Sequence, residues 1–242
     1  MLRTSSTIPF NAKSRVSGAA RSLALVSAAP NSYSMPELSV LDKLETELAG
    51  VRRALAAARL EILSIQSAEK SARFLALHDG LTSLPNLRFF RLRLEQALAR
   101  EPRSRQSLAV LYFDLDGFKQ LNDAHGHHVG DELLRIVGSR LAHAVRAEDM
   151  VSRLGGDEFV CLRTGEPGRN QLAALACKLF DAVRAPMRIG RHDLSVRPSI
   201  GIAIAPDDGL DADELMQHAD AAMYRAKRQR SGHEFYSPQN AG

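Results

Sequence analysis

The stretch "VSRLGGDEFVCL", Val151 to Leu162, sets two glycines and two carboxylates between two apolar runs. Gly155-Gly156 permits the positive φ values of a tight hairpin, so "DMVSRL" and "EFVCLR" read as two strands joined by a short turn. Upstream, "GDELLRIVGSRLAHAV" carries Leu134, Val137, Leu141 and Val145 on one helical face, and "SLAVLYFDLD" before it is a buried strand. Downstream come a helix over "QLAALACKLFDAVR", strands across "HDLSVRPSIGIAIAP", and a last helix opened by Asp211 and Glu214 at capping-box spacing. Strands and helices that interleave around a central hairpin predict an α/β (α+β) sandwich of ferredoxin-like type, with helices on one or both faces of the sheet.

The rest of the chain adds an extension to this domain. With 242 residues, 45% hydrophobic and 25% charged, there is material for one globular domain and little more. The net charge of +4 lies at the start: residues 1 to 36 hold Arg3, Lys13, Arg15 and Arg21 and no acid. The remaining chain balances 28 basic against 28 acidic residues. A neutral body argues against a nucleic-acid partner. Residues 1-35, rich in Ser, Ala and Arg, read as a disordered leader, and 239-242 as a tail. No run approaches the ~18 apolar residues of a membrane span. Cys161 and Cys177 show no metal-type spacing and read as small core residues in a reducing compartment, which places the chain in the cytoplasm.

Leu41, Leu44, Leu48, Val51, Leu55, Ala58, Ile62 and Ile65 alternate at spacings of three and four. That is a heptad seam, and it predicts a dimerising coiled-coil helix over 36-76, hence a homodimer. With Leu41 at an a position, Glu47 and Arg52 face each other across a parallel pair. "HDGLTSLPN" then marks a turn-rich joint, and the globular part runs over 77-238.

Asp114 and Asp116 end the first apolar strand. The expectation is that the two carboxylates diverge, so that one of them, with the Leu115 carbonyl, offers oxygen ligands to a hard cation. Asp157 at the hairpin reaches the same cation if the two strands are neighbours. Paired carboxylates holding a divalent ion beside phosphates are the equipment of nucleotidyl transfer, with Glu158 left as a base or further ligand. An EF-hand reading of "DLDGFKQLNDAH" fails because Lys119 occupies the position that needs glycine. His125, His127 and His128 lack the second ligand pair of a zinc site.

"FDLDGFKQLNDAHGHHVGDELL", "RLGGDEF", "SIGIA" and "ADAAMYRAK", in this order from about Asp79 to Lys227, resemble the GGDEF family of diguanylate cyclases. The resemblance implies a nucleotidyl-cyclase-type sandwich with a mostly antiparallel sheet. It implies that two GTP molecules, one per subunit of a homodimer, join into cyclic di-GMP with loss of two pyrophosphates, using Mg or Mn. By position, Asp114, the Leu115 carbonyl, Asp157 and Glu158 would hold the metal, and Glu158 would activate the hydroxyl. Asn122 and Asp131 match the guanine-reading residues, the carboxylate accepting from N1 and N2; locally they also read as a turn residue and a helix N-cap. Gly117, Phe118, Lys119 and Lys227 match phosphate contacts. Ser231 stands where the family has Arg, leaving Arg230 as the substitute guanidinium, and Ser83 and Leu87 stand where Gly and Arg are common. Arg146 and Asp149, an Arg-x-x-Asp tetrad six residues before the first motif glycine, resemble the family's inhibitory site for cyclic di-GMP. Taken alone they would be a surface ion pair at a helix end. The competing reading is a binding module that holds GTP or cyclic di-GMP without turnover and serves as a dimerising partner; such domains usually damage the acid motif, whereas here it is intact.

Overall fold

The structure, a computed structural model, describes residues 35–104, 107–165 and 167–238. Apart from its last residue, the leader read over 1-35 lies outside them, as does the 239-242 tail. Met35 is already helical. The chain divides after Gln66 into two compact units.

In the first unit the described residues belong to one helix, α1 (Met35–Leu77), which continues into the second. Its seam residues Leu41, Leu44, Leu48, Val51, Leu55, Ile62 and Ile65 are each 45% to 65% exposed in the single chain. A lone helix with a narrow apolar stripe has nothing of its own to bury it against, and helices of this kind gain most of their stability from a partner surface.

The second unit adds α2 (Leu87–Ser104), β1 (Leu108–Asp116), α3 (Phe118–His125), α4 (His127–Ala144), β2 (Met150–Gly155) and β3 (Glu158–Arg163). They are followed by α5 (Arg169–Arg184), β4 (Met187–Ile189), β5 (His192–Leu194), β6 (Arg197–Ala205), α6 (Ala212–Gln229) and β7 (His233–Phe235). The main sheet runs β2-β3-β1-β6-β7, and β4 and β5 form a separate two-stranded ribbon. Every neighbour in the main sheet is antiparallel except β6 with β7. The first four strands thus have ferredoxin-like order, as the interleaving predicts, with a short parallel edge added.

Alternation along β1 builds two cores. Leu111, Phe113 and Leu115 face Leu133, Val137 and Leu141 of α4 and Leu172 and Leu179 of α5. Val110 and Tyr112 face Phe90 and Leu94 of α2 and Leu215 and Met223 of α6. Phe90, Phe113 and Phe159 are fully buried, each worth about 2 kcal/mol relative to exposure. At Gly201 of β6 a Cβ would lie 1.9 Å from the Ala219 carbonyl oxygen and 2.1 Å from the Met223 nitrogen, so α6 rests directly on the strand backbone.

Asp211 caps α6, accepting from the Glu214 nitrogen at 2.8 Å, and Glu214 in turn accepts from the Leu210 nitrogen at 2.9 Å. Cys161 is in the core, but Cys177 is exposed on the outer side of α5, contrary to the sequence reading. It falls between Ala176 and Leu179, the buried pair of that turn. The helix α2 has no counterpart in the sequence reading. Among its described side chains the two fully buried, Phe90 and Leu94, stand among arginines and glutamates, too few to impose a readable period.

Candidate active site

In the β1–β3 pairing Asp114 stands directly opposite Glu158. Directly opposed residues of an antiparallel pair share a face, with Cβ atoms about 5 Å apart. Gly155 pairs with Glu158, so Gly156 and Asp157 form the hairpin tip, and Gly156 takes φ 51°, which suits a residue without a Cβ. The neighbourhood of β1 and β3 required for Asp114 and Asp157 is therefore present. The expected divergence of Asp114 and Asp116 is overturned: residues two apart in a strand share a face, and both are half-buried on either side of the buried Leu115. Asp116 is engaged differently, accepting from Ser199 Oγ at 2.8 Å.

Across this face comes α6. Lys227 Nζ donates to Asp114 Oδ1 at 2.5 Å; desolvation lowers the ammonium's pKa, but that bond and the charges of Asp114, Asp116 and Asp157 together raise it. The other acids lack such a partner. Desolvation, reinforced by the Asp114 charge, raises the pKa of Asp157. Desolvation and Asp114 raise that of Glu158 too, against a hydrogen bond with Tyr112. Asp220, one helical turn ahead of Met223, is raised for the same two reasons. Asp157, Glu158 and Asp220 thus each feel the Asp114 charge, while the Lys227 ammonium is felt by Asp114 and Asp157.

Among the described residues no three His, Cys, Asp or Glu side chains already converge on a common point. Asp114 is turned onto Lys227, whose ammonium stands where a cation would neutralise the acids. The donor set is carboxylate and carbonyl oxygen only, which fits Mg or Mn rather than a softer metal.

Beyond β1 the chain turns at Gly117, φ 75°, into α3, whose N-terminus has no side-chain cap. The first-turn amides after Gly117 and Phe118 are thus left without a side-chain acceptor, the usual setting for an anion. Phe118 is buried and Lys119 exposed. Asn122 lies within α3 and Asp131 within α4, so the turn-residue and N-cap alternatives are corrected; the caps are Gly117 and Gly126. Asn122 Oδ1 is buried and has no hydrogen-bond partner among the described residues. It rests against Gly130, next to Asp131.

Lys227 and Arg230 line a cavity of ≈ 350 Å³ with Asp116 and Arg197. Arg197 escaped the sequence reading. It is the β6 register partner of Asp116, which only the strand pairing reveals. Ser231 does not reach out as an arginine would; its hydroxyl donates to the His233 carbonyl at 3.3 Å.

Arg146 and Asp149 border a separate cavity of ≈ 270 Å³ together with Arg163, Gln171 and Lys178. Asp149 is buried, and Arg163 Nη1 donates to both its oxygens, at 3.0 and 2.7 Å. The surface pair of Arg146 with Asp149 is therefore corrected: the pair is Asp149–Arg163, and it is internal. Arg146 touches Asp149 through its backbone nitrogen, at 3.3 Å, and its side chain is exposed.

The joint after α1 connects to the hairpin. Asn86 caps α2 by accepting from the Phe89 nitrogen at 3.1 Å while its Nδ2 donates to the Ala76 carbonyl at 3.1 Å. Asp79 accepts from the Thr82 nitrogen at 2.8 Å, from Thr82 Oγ1 at 2.7 Å, and from Arg153 Nη1 at 2.8 Å. Arg153 also donates from Nη2 to the Gly156 carbonyl at 2.7 Å. Desolvation opposes these bonds, but they hold the Asp79 carboxyl below its ordinary pKa. Ser83, where the resemblance expects Gly, adopts φ 59°, a left-handed conformation costing roughly 1 kcal/mol for a residue with a Cβ.

The family model described as "Diguanylate cyclase, GGDEF domain" matches residues 76–233. The bifunctional diguanylate cyclase/cyclic di-GMP phosphodiesterase MucR of Pseudomonas aeruginosa is 47% identical over 202 residues, which are 82% of this chain and 28% of that protein. The diguanylate cyclase TpbB of the same species is 39% identical over 169 residues, 69% of this chain and 39% of that one. The chain therefore spans well under half the length of these relatives. Among solved structures, the isolated GGDEF domain of TpbB superposes with a TM-score of 0.64 at 39% identity, covering 66% of this chain and 94% of that one. The coiled coil and GGDEF domain of DgcB from Caulobacter crescentus, solved with c-di-GMP, superposes at 0.68 with 24% identity over 77% of this chain and 98% of that one, a likeness of fold. The intact "RLGGDEF" hairpin, the antiparallel sheet that carries it and these matches lead to one conclusion: the chain belongs to the GGDEF family of diguanylate cyclase domains.

Proposed function

We propose that the chain condenses two GTP molecules into cyclic di-GMP and two pyrophosphates, in a homodimer whose two half-sites face each other. The observation that carries this is the intact acid set, Asp114 opposite Glu158 with Asp157 at the turn, facing a single lysine. Nothing in the set is amputated as a binding-only domain would allow.

A bound Mg or Mn ion, held by Asp114, the Leu115 carbonyl, Asp157 and Glu158, would take up negative charge developing on the phosphate oxygens. The chain's own groups do the rest. Asn122 and Asp131 grip the guanine edge. The α3 amides at Gly117 and Phe118, with Lys119, Lys227 and Arg230, hold the phosphates. Glu158, whose raised pKa makes it a better base than an ordinary carboxylate, accepts the proton of the attacking 3′-hydroxyl. Each hydroxyl oxygen bonds to the α-phosphorus of the other nucleotide as the bond to pyrophosphate breaks. Two such exchanges close the ring, so each chain supplies one substrate and half the chemistry. The exposed α1 seam supports the pairing that this requires.

The Arg146–Asp149 cavity serves as an inhibitory site for the product. Its cations Arg146, Arg163 and Lys178 suit the phosphates of cyclic di-GMP. Binding there stabilises an arrangement that keeps the loaded half-sites apart, so inhibition is non-competitive with GTP. The decisive experiment is incubation with GTP and Mg²⁺ followed by chromatography. Formation of cyclic di-GMP supports the reading, and GTP binding without product sinks it.

A further inference from the structure

We propose that Gly130 is a positioning residue for guanine recognition, kept without a side chain so that the Asn122 amide can occupy the space where a Cβ would be. The inference rests on the GTP reading above. Gly130 lies in the first turn of α4, and it is not among the glycines with positive φ. Its backbone is therefore one that alanine adopts freely, and glycine is among the poorest helix formers. Local conformation gives no reason for its presence.

The surroundings give one. A Cβ on Gly130 would lie 1.8 Å from Asn122 Oδ1 and 2.9 Å from its Cγ, with Phe118 Cζ at 3.3 Å. No real atom pair tolerates the first of these distances, so a methyl group displaces the amide. The displaced atom is the end of a short side chain, not backbone, and the helix therefore need not move. The same oxygen is buried and makes no hydrogen bond among the described residues. A buried amide oxygen without a partner costs stability unless something outside the chain pairs with it. Asp131, a half-buried carboxylate, is the next residue after Gly130 on the same turn. A donor-rich edge such as that of guanine, presenting N1–H and N2–H₂, can be read by these two acceptors together. Gly130 thus acts through Asn122 and fixes its rotamer for the base without touching the phosphates.

The test compares the full-length protein with Gly130→Ala, Asn122→Ala and the double variant. Affinity for a non-hydrolysable GTP analogue and for inorganic tripolyphosphate is measured with Mg²⁺ present, alongside thermal unfolding. Gly130→Ala is expected to weaken the GTP analogue about tenfold, to leave tripolyphosphate within about twofold, and to unfold no earlier than the parent. In the Asn122→Ala background the added methyl meets no amide, so the double variant should bind the analogue as Asn122→Ala does. An unchanged analogue affinity in Gly130→Ala would overturn the proposal, as would an equal loss of tripolyphosphate or losses that multiply in the double variant. Should Gly130→Ala fail to fold, the Asn122→Ala pair still decides, because any further weakening there assigns Gly130 another role. A parent that binds an ATP analogue as well as the GTP analogue would instead sink the guanine reading itself.

Discussion

The two carboxylate clusters of the domain are electrostatic opposites. At the β1–β3 end, Asp157, Glu158 and Asp220 surround the charge of Asp114, whose carboxylate alone is hydrogen-bonded to Lys227, and those three have raised pKa values. At the other cluster a single carboxylate, Asp149, is gripped at both oxygens by Arg163, with Arg146 and Lys178 to spare. One region is short of positive charge and the other has an excess. The first is disposed to take a cation and what the cation carries, and the second an anion. The same residue type serves opposite ends because a strand end open to solvent tolerates unpaired charge that a buried position does not.

The largest expected effect tests the cation-poor end. Glu158→Gln keeps the size and removes the base, and should lower cyclic di-GMP formation by roughly 10²- to 10⁴-fold, read by product chromatography, with the fold intact by circular dichroism. An active variant would move the proton to another group.

Next comes the saturated cluster. Arg163→Met leaves Asp149 buried without its partner and should cost about 3–5 kcal/mol of stability, measured by urea unfolding. Replacing Asp149 by Leu in the same protein should recover most of that loss. A small loss in Arg163→Met alone would show that the internal pair is not structural.

A smaller effect separates structure from regulation in that cavity. Arg146 is exposed and makes no ion pair among the described residues, so Arg146→Ala should leave both the fold and the initial rate unchanged. It should weaken inhibition by added cyclic di-GMP by about tenfold, the worth of one charge-assisted bond. Undiminished inhibition would return Arg146 to the solvent.

The smallest effect is linked to protons. Asp157 and Glu158 have native pKa values above the ordinary 3.8 and 4.5. The folded state therefore binds more protons than the unfolded one just above those values, and stability falls as pH rises through that window. Asp157→Asn should flatten this slope in metal-free protein, by less than about 1 kcal/mol because the group is partly solvated. Mg²⁺ should flatten it in the parent as well. A steeper slope in the variant would mean that Asp157 is stabilised as an anion.

Much of this was legible in the sequence. The hairpin "RLGGDEF" and the alternating apolar runs on either side predict the ferredoxin-like order that the sheet adopts, and the capping pair at Asp211 and Glu214 holds. What escaped depends on pairing across the sheet or on packing between elements. Arg197 became visible only as the register partner of Asp116. Arg163 looked like the end of an apolar strand, and its carboxylate lies fourteen residues earlier. The internal status of Asp149 reversed the surface reading of its tetrad. For α2 the local signal was too weak, because arginines and glutamates surround two buried side chains. The side on which Asp114 and Asp116 lie followed from the period of a strand, and was misjudged.

At Gly201 the helix backbone lies where a methyl group would be, and α6 carries Asp220 and Lys227. Even alanine there would lift the helix and with it the Lys227 ammonium that reaches Asp114. Ser231 shows a contrasting setting: it lies beyond the helix, exposed, and its hydroxyl only reaches the His233 carbonyl. In this domain, clearance at one backbone position constrains the site as firmly as the charges that line it.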